Sequence, residues 1–170
     1  SDKIDVLTSI YSKGERPSGS SDPYALRRAA NGILQIILSK KWKLDLLSLI
    51  TLVLDHLNNS FPELDINQTS IQNELYGFFR LRLNNLLQES GIDRDLVMAV
   101  TGLNIPINKI LQDPNDVMER GQLLQEMRLT NDLHLIHSVV TRASRLADKG
   151  ELQETIVDPT GVVDPELFES

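Results

Sequence analysis

Apolar residues recur at helical spacing along nearly the whole chain, and this periodicity constrains the fold more than any other feature. Leu26, Ala30, Ile33 and Ile37 lie at i, i+4, i+7 and i+11, so a helix would carry all four on one buried stripe. Stretches that alternate with a period of two residues are scarce. The sequence therefore predicts an all-α protein, an irregular bundle of about six to eight helices without significant sheet.

Cap and turn residues predict where these helices begin and end. An aspartate cap followed by proline opens many helices, and this pair occurs at Asp22-Pro23, Asp113-Pro114 and Asp164-Pro165. Gly91 stands where a helix-ending glycine belongs, and Gly32 predicts a close approach between two helices. The predicted helices cover residues 2–11, from 23 past 37, 45–58, 70–90, 93–102, 106–111, 114–128 and 132–148, with a further start at 164.

Positive and negative charges are unevenly distributed along a chain whose net charge is -7 at pH 7. Residues 23–44 contain five basic side chains and no acid. Residues 150–170 contain six acids and no basic residue, and so account for six of the seven net negative charges. Because attraction depends on where the charges sit, this balance does not exclude a polyanionic partner.

The composition and the ends of the chain limit the class of protein. There is no cysteine, so disulfides and thiolate metal sites are excluded. No apolar run approaches the roughly 18–20 residues that span a bilayer, and the first residues lack a signal-peptide pattern. We expect a cytoplasmic protein. Since Ile4, Leu7 and Ile10 are already in helical register without an initiator Met, we also expect a fragment of a longer protein.

Catalytic and metal-binding motifs are not found in the sequence. It contains neither of the Gly-rich phosphate loops, no HExxH and no Gly-x-Ser-x-Gly. His134 and His137 are three apart beside Asp132, but no third ligand stands at a supporting spacing, which favours a partly exposed helix face. Asp2 and Asp5 are typical of solvated acids at a helix start. We therefore predict no catalytic residue, no metal site and no cofactor within this chain.

Clustered basic residues are the strongest functional signal. Arg27 and Arg28 lie near a helix N-terminus, which favours anions, although one of them could equally bind carbonyls of the preceding loop. Arg80 and Arg82 neighbour aromatic residues, as in RNA contacts, or else extend to water while the phenylalanines form core. The candidate nucleic-acid-binding side chains, which we expect on one solvent-facing strip, are Arg27, Arg28, Lys40, Lys41, Lys43, Arg80, Arg82, Arg142 and Arg145.

Four segments of the chain resemble a known family. "DPYALRRAANGILQIIL" at 22–38 is similar to the DP[FY]ALRRAA segment of the β subunit of bacterial-type glycyl-tRNA synthetase, and the preceding "SDKIDVLTSIYSKGERPSGSSD" resembles the run before it. "FFRLRLNNLLQESGIDRDLVMAV" at 78–100 is similar to the family's Phe-x-Arg-x-Arg helix. "VVTRASRLADKG" at 139–150 resembles the helix that leads into the anticodon-binding domain, in a form typical of cyanobacterial or plastid versions.

The resemblance implies both an organisation and a role. Residues 1–21 would end an HD-like helical region, 22–130 would form a helical body, and 131–170 would begin the C-terminal anticodon-binding domain. In this family the α subunit makes glycyl-adenylate and the β subunit provides most tRNA binding. This chain would be a non-catalytic tRNA-binding and scaffolding part of a ligase, and ATP and Mg would be used by the whole enzyme.

The resemblance also implies partners, and it leaves alternatives. Glycine tRNA and the α subunit or α region would be the partners, with no membrane and no DNA. The main alternative is a helical module that docks the catalytic α subunit or another domain, for which an exposed apolar patch without nearby basic charge would be the sign. A weaker alternative is a remnant phosphohydrolase using Asp2.

Overall fold

The computed structural model describes residues 2–19, 21–22, 24–64, 67–148 and 150, apart from the side chain of Leu64. Over these residues the secondary structure is eight α-helices and one 3-10 turn, with no strand beyond an isolated bridge between Ser18 and Ser21. The all-α prediction is confirmed. Within the same residues no helix is long and apolar enough to cross a membrane. The predicted roles of Pro23 and of Asp164-Pro165 lie outside the described residues.

The observed helices follow the predicted bounds closely. A 3-10 turn, Pro62–Leu64, separates α3 from α4. The helices are α1 Asp2–Ser12, α2 Leu26–Lys40, α3 Leu46–Ser60, α4 Gln68–Glu89, α5 Arg94–Thr101, α6 Asn108–Leu111, α7 Pro114–Leu129 and α8 Asp132–Ala147. Contacts between residues divide the chain into two compact units. The first, Ser1–Leu129, contains α1 to α7, and the second, Thr130–Ser170, contains α8.

The start of α2 differs from the prediction. The helix begins at Leu26 because Ala25 takes a left-handed conformation, with φ 54° and ψ 35°. The N–H of Ala25 donates to the carbonyl of Asp22 at 3.0 Å, which closes a turn before the helix. Asp22 still caps the helix from this earlier position, since its carboxylate accepts hydrogen bonds from the first helical N–H groups.

The core of the first unit is built around α4, which contacts every other α-helix of that unit. Its buried side chains recur at helical spacing and include Phe79, the largest fully buried side chain among the described residues. They are Ile71, Leu75, Phe79, Leu83, Leu86 and Leu87. Because α1, α2 and α3 all pack on this helix, side chains on its less buried positions are brought beside the α1–α2 loop and the start of α2.

The close helix contact predicted at Gly32 is found at Gly121 instead. A Cβ added at Gly32 would meet only the flexible stem of Lys3, with Cε at 3.6 Å, which is an ordinary contact. A Cβ at Gly121 would lie 2.9 Å from Cδ1 of Ile92 and 3.1 Å from Cδ2 of Leu87. The missing side chain at Gly121 therefore lets α7 approach α4 and the turn that follows it.

Helix α8 is amphipathic, yet none of its residues is buried. Its exposed apolar side chains are Leu135, Ile136, Val139, Val140 and Leu146. Asn131 precedes the helix with a positive φ of 68°, a conformation that asparagine tolerates better than most residues.

Candidate nucleic-acid interface

Arg27 is held at the start of α2 by both its backbone and its side chain. The carboxylate of Asp22 accepts hydrogen bonds from the N–H groups of Leu26 at 2.7 Å and Arg27 at 3.1 Å. These donors are therefore occupied, and the helix N-terminus itself is not open to an anion. The Arg27 side chain donates from Nη2 to the carbonyl of Gly19 at 2.8 Å, so it does bind the preceding loop, one of the two roles that the sequence left open.

Arg27 and Arg82 line one cleft between the α1–α2 loop, α2 and α4. We call it the arginine cleft and define it by Tyr11, Arg16, Arg27, Phe78 and Arg82; Glu74 also lines it, and its volume is about 360 Å³. The Arg82 guanidinium lies over the Phe78 ring, 5.7 Å from the centroid, in a cation–π contact. Among the described residues neither Arg27 nor Arg82 forms an ion pair with a carboxylate.

The electrostatics of Arg82 combine burial and repulsion with a weaker attraction. Its pKa is held below the ordinary value, first by burial of the guanidinium and then by the charge of Arg27, while Asp22 and Glu89 act in the opposite direction. Its Nε is buried without a hydrogen-bond partner in the described structure. A guanidinium stays charged in proteins, so an anion near Arg82 would offset its repulsion with Arg27. The cleft thus offers two neighbouring cations.

Arg16 completes the cleft and was missed by sequence reasoning. It forms an ion pair with Glu74, donates from Nη1 to the carbonyls of Tyr11 at 2.7 Å and Glu15 at 2.8 Å, and covers the Tyr11 ring at 4.2 Å. The hydrogen bond from Arg16 lowers the pKa of Glu74. Arg16 lies in a Gly/Pro/Ser-rich loop far along the chain from Glu74, so no local spacing could have identified it.

Arg28 lies on a different side of α2 from Arg27. Successive helical residues are turned by about 100°, and Arg28 is exposed beside a separate cavity of about 400 Å³ that Asp2, Lys3 and Tyr24 also line. Among the described residues no hydrogen bond or ion pair is found for Arg28. The two adjacent arginines therefore cannot hold the same phosphate.

The three candidate lysines lie at the opposite end of α2. Lys40 is the last residue of the helix, and at a rise of about 1.5 Å per residue it stands roughly 20 Å along the axis from Arg27. Lys40, Lys41 and Lys43 are all exposed, and so is Trp42 between them. Sequence reasoning missed this tryptophan, because a lone aromatic residue more often predicts core.

Of the remaining candidate arginines, Arg80 belongs to the first unit. It is two residues from Arg82, hence across the helix, and its Nη2 donates to the carbonyl of Ile105 at 3.0 Å. Arg142 and Arg145 are exposed on α8, in the second unit. Within the first unit the expectation of one continuous strip is wrong, because helical rotation separates neighbouring arginines and the lysines lie at the other end of α2.

Metal-ligating side chains do not converge in the described part of the chain. No group of three or more His, Cys, Asp or Glu residues there could hold a metal ion. His134 and His137 are exposed on α8. What the first unit offers chemically is therefore cationic and aromatic contact.

Comparisons with known proteins assign the family. A helical scaffold with guanidinium groups beside aromatic rings is typical of nucleic-acid-binding surfaces. The family model described as glycyl-tRNA synthetase beta subunit matches residues 1–102. The chain therefore belongs to this family of aminoacyl-tRNA synthetase subunits, and the resemblance drawn from its motifs is confirmed.

Individual relatives agree with this assignment and show how much of them the chain covers. A glycine–tRNA ligase beta subunit of Acaryochloris marina is 44% identical over 170 residues, which are 99% of this chain and 23% of that protein. Beta subunits of Gloeothece citriformis and Limosilactobacillus fermentum are 41% and 34% identical, each over 99% of this chain and 23% of the relative. The chain thus spans about a quarter of the length of these relatives.

Proposed function

We propose that this chain is a tRNA-binding and scaffolding segment of a glycyl-tRNA synthetase β subunit. It would support the ATP-dependent attachment of glycine to its tRNA, while the catalytic site lies elsewhere. Family membership supports the general role. The observation that carries the tRNA contact is the arginine cleft, in which Arg27 and Arg82 converge without a carboxylate partner among the described residues.

The contact would be made with the phosphate backbone. Guanidinium groups bind phosphate through paired, charge-assisted hydrogen bonds, and such contacts position a nucleic acid without reading its sequence. A phosphate in the arginine cleft would offset the repulsion between Arg27 and Arg82. Arg28 and the lysines at and after the end of α2 would add contacts from other parts of the first unit, and the arginines of α8 would add contacts from the second unit.

The proposal includes the wider assembly to which the chain contributes. The relatives are named beta subunits, which implies a companion α subunit or α region. ATP and Mg would be used by that assembly rather than by this chain, and we place the enzyme in the cytoplasm.

The test measures how binding of glycine tRNA by the two-subunit enzyme depends on salt. Each lost phosphate contact lowers the slope of log K against log salt by roughly 0.7–0.9. The double variant Arg27→Gln/Arg82→Gln should weaken binding at low salt. It should also reduce the slope by the amount expected for the loss of about one to two phosphate contacts. The matched control is Arg120→Gln, because Asp116 already neutralises Arg120 in an ion pair of 2.8 Å; its slope should not change.

Footprinting with the same variants locates the contact on the tRNA. Protection of one backbone segment should be lost with the Arg27/Arg82 pair and retained with Arg120→Gln. If affinity, slope and footprint are all unchanged in a folded Arg27/Arg82 variant, the arginine cleft does not bind tRNA.

A second candidate function is docking of another protein domain. It is favoured by an apolar groove of about 650 Å³ bordered by α1, α2 and α3, where Ile36, Trp42 and Leu52 are exposed. Lys3, Asp2 and Asp5 also line this groove, and the exposed Lys41 and Lys43 flank Trp42 in the sequence, whereas the expected sign of a docking module was an apolar patch without nearby basic charge. We therefore place it second.

A further inference from the structure

Trp42 is presented to solvent by a loop whose backbone is fixed at several points. We call residues 40–43 the lysine loop. Lys41 ends α2 in a left-handed conformation, with φ 51° and ψ 40°. The N–H of Trp42 donates to the carbonyl of Ile37 at 3.0 Å, and the Trp42 carbonyl accepts a hydrogen bond from Nδ2 of Asn115 at 2.7 Å. The backbone at Trp42 is thus fixed by bonds to α2 and α7.

The lysine loop combines an exposed aromatic surface with unneutralised charge. The Trp42 side chain is 56% exposed, which is unusual for so large an apolar group. Lys40, Lys41 and Lys43 flank it in the sequence and are exposed, and among the described residues no carboxylate or hydrogen-bond acceptor is found for their ammonium groups.

This combination matches the chemistry of an unpaired nucleotide. Single-stranded RNA is held where bases stack on aromatic side chains and basic groups follow the backbone. Protein interfaces, in contrast, are depleted of lysine. Three lysines around one indole therefore favour RNA over a protein helix in the adjoining groove.

We propose that Trp42 is a stacking platform for an unpaired base of RNA, and that Lys40, Lys41 and Lys43 hold the phosphates on either side of that base. This inference rests on the proposed function and narrows it, since it assigns a single-stranded element of the tRNA to the lysine loop. It is separate from the arginine cleft, which lies at the other end of α2.

The experiment uses the fluorescence of Trp42, the only tryptophan of the chain. The 170-residue chain is titrated, at about 50 mM NaCl to keep phosphate contacts strong, with a single-stranded RNA of about ten nucleotides and with the blunt duplex of the same sequence. Stacking should quench the emission with the single strand. The duplex, whose bases are already stacked, should quench much less at the same phosphate concentration.

Variants separate stacking from charge, with affinity read from the anisotropy of labelled RNA. Trp42→Leu should weaken single-strand binding about 5- to 100-fold, the range for loss of one base–aromatic stack, and Trp42→Phe should retain most of it. Replacing the three lysines by Gln should lower affinity and reduce the salt slope by about 0.7 per phosphate lost. Leu103→Ser, at an 87% exposed apolar position on the α5–α6 connection, is the control and should bind normally.

Each other outcome overturns the proposal in a distinguishable way. If RNA binds but the emission is unchanged and Trp42→Leu binds normally, the stacking platform is wrong while the arginine cleft stands. If the emission shifts to the blue only when the companion subunit is added, the lysine loop docks protein. If neither the single strand nor the duplex binds the chain, the stacking platform is wrong, while tRNA binding by the two-subunit enzyme still decides the arginine cleft. Circular dichroism of the variants confirms that each is folded.

Discussion

The repulsion between Arg27 and Arg82 predicts a measurable unfavourable coupling in the folded protein. We take the separation of the two charges as about 9 Å, the diameter of a sphere with the volume of the arginine cleft, 360 Å³. At an effective dielectric constant of about 40–80 two like charges at that distance repel by about 0.5–1 kcal/mol. The change that Arg82→Met makes in the free energy of unfolding should therefore differ between two backgrounds. It should be more favourable by about 0.5–1 kcal/mol in the wild type than in an Arg27→Met protein, where the repulsion is already absent.

Urea unfolding of the four proteins of this cycle measures the coupling. Methionine keeps most of the apolar stem of arginine. The hydrogen bond from Arg27 to the Gly19 carbonyl does not affect the coupling energy, because it is present in both proteins of one Arg82→Met comparison and absent from both proteins of the other. The coupling should shrink in about 0.5 M NaCl, because the screening length there is only a few ångströms. As a control, Lys40 lies at the end of α2 remote from the arginine cleft, so it should show no coupling with Arg82.

One result would refute this reasoning. A coupling near zero at low salt, or one of the opposite sign, would mean that a carboxylate neutralises the cleft in solution. Arg82 would then have no need of an external anion, and the cleft would lose its main physical argument for phosphate binding.

Three further predictions concern Tyr11, Gly121 and Gly77 of the same unit. Burial raises the pKa of Tyr11 to about 12, against about 10 in the unfolded chain. Between these values the folded state keeps a proton that the unfolded state has lost, so the free energy of unfolding should fall by about 1.4 kcal/mol per pH unit. Urea unfolding of Tyr11→Phe between about pH 10 and 12 should lack this part of the fall, and an equal fall in both proteins would contradict it. Gly121→Ala should destabilise by about 1–3 kcal/mol, because its methyl group would crowd Ile92. Gly77→Ala, at a helical position with nothing within 4 Å of the added Cβ, should stabilise by about 0.5–1 kcal/mol; a loss of stability there, seen by thermal unfolding, would count against this reasoning.

The helices could be predicted from the sequence because their signals are local. The stripe on α2 and the helix-ending Gly91 depend on residues within a few turns of one another, and Gly91 has the positive φ of 87° that its position demands. The start of α2 was less predictable. There the turn closed by Asp22 and Ala25 competes with helix formation, and both conformations satisfy the same aspartate cap.

The arginine cleft could be predicted only in part, because its members are brought together by packing. The motif around Arg27 and the Arg-aromatic pair of α4 each indicated phosphate contact, but no spacing shows that the loop carrying Arg16 closes over Tyr11 and Glu74. Trp42 was missed for a related reason. A tryptophan in a sequence predicts burial, and only the structure shows that Trp42 is exposed where bonds to Ile37 and Asn115 hold its backbone.

The net charge of the chain is a poor guide to its partner, because carboxylates neutralise particular arginines and not others. Arg16, Arg120 and Arg128 are each paired with an aspartate or glutamate. Arg27 and Arg82 are not, within the described residues, although the chain has more acids than bases. Exposed charges farther away than about 10 Å are largely screened at physiological salt, so a phosphate near the cleft responds to those two guanidinium groups. An acidic protein can therefore hold a polyanion wherever its own carboxylates are committed to other cations.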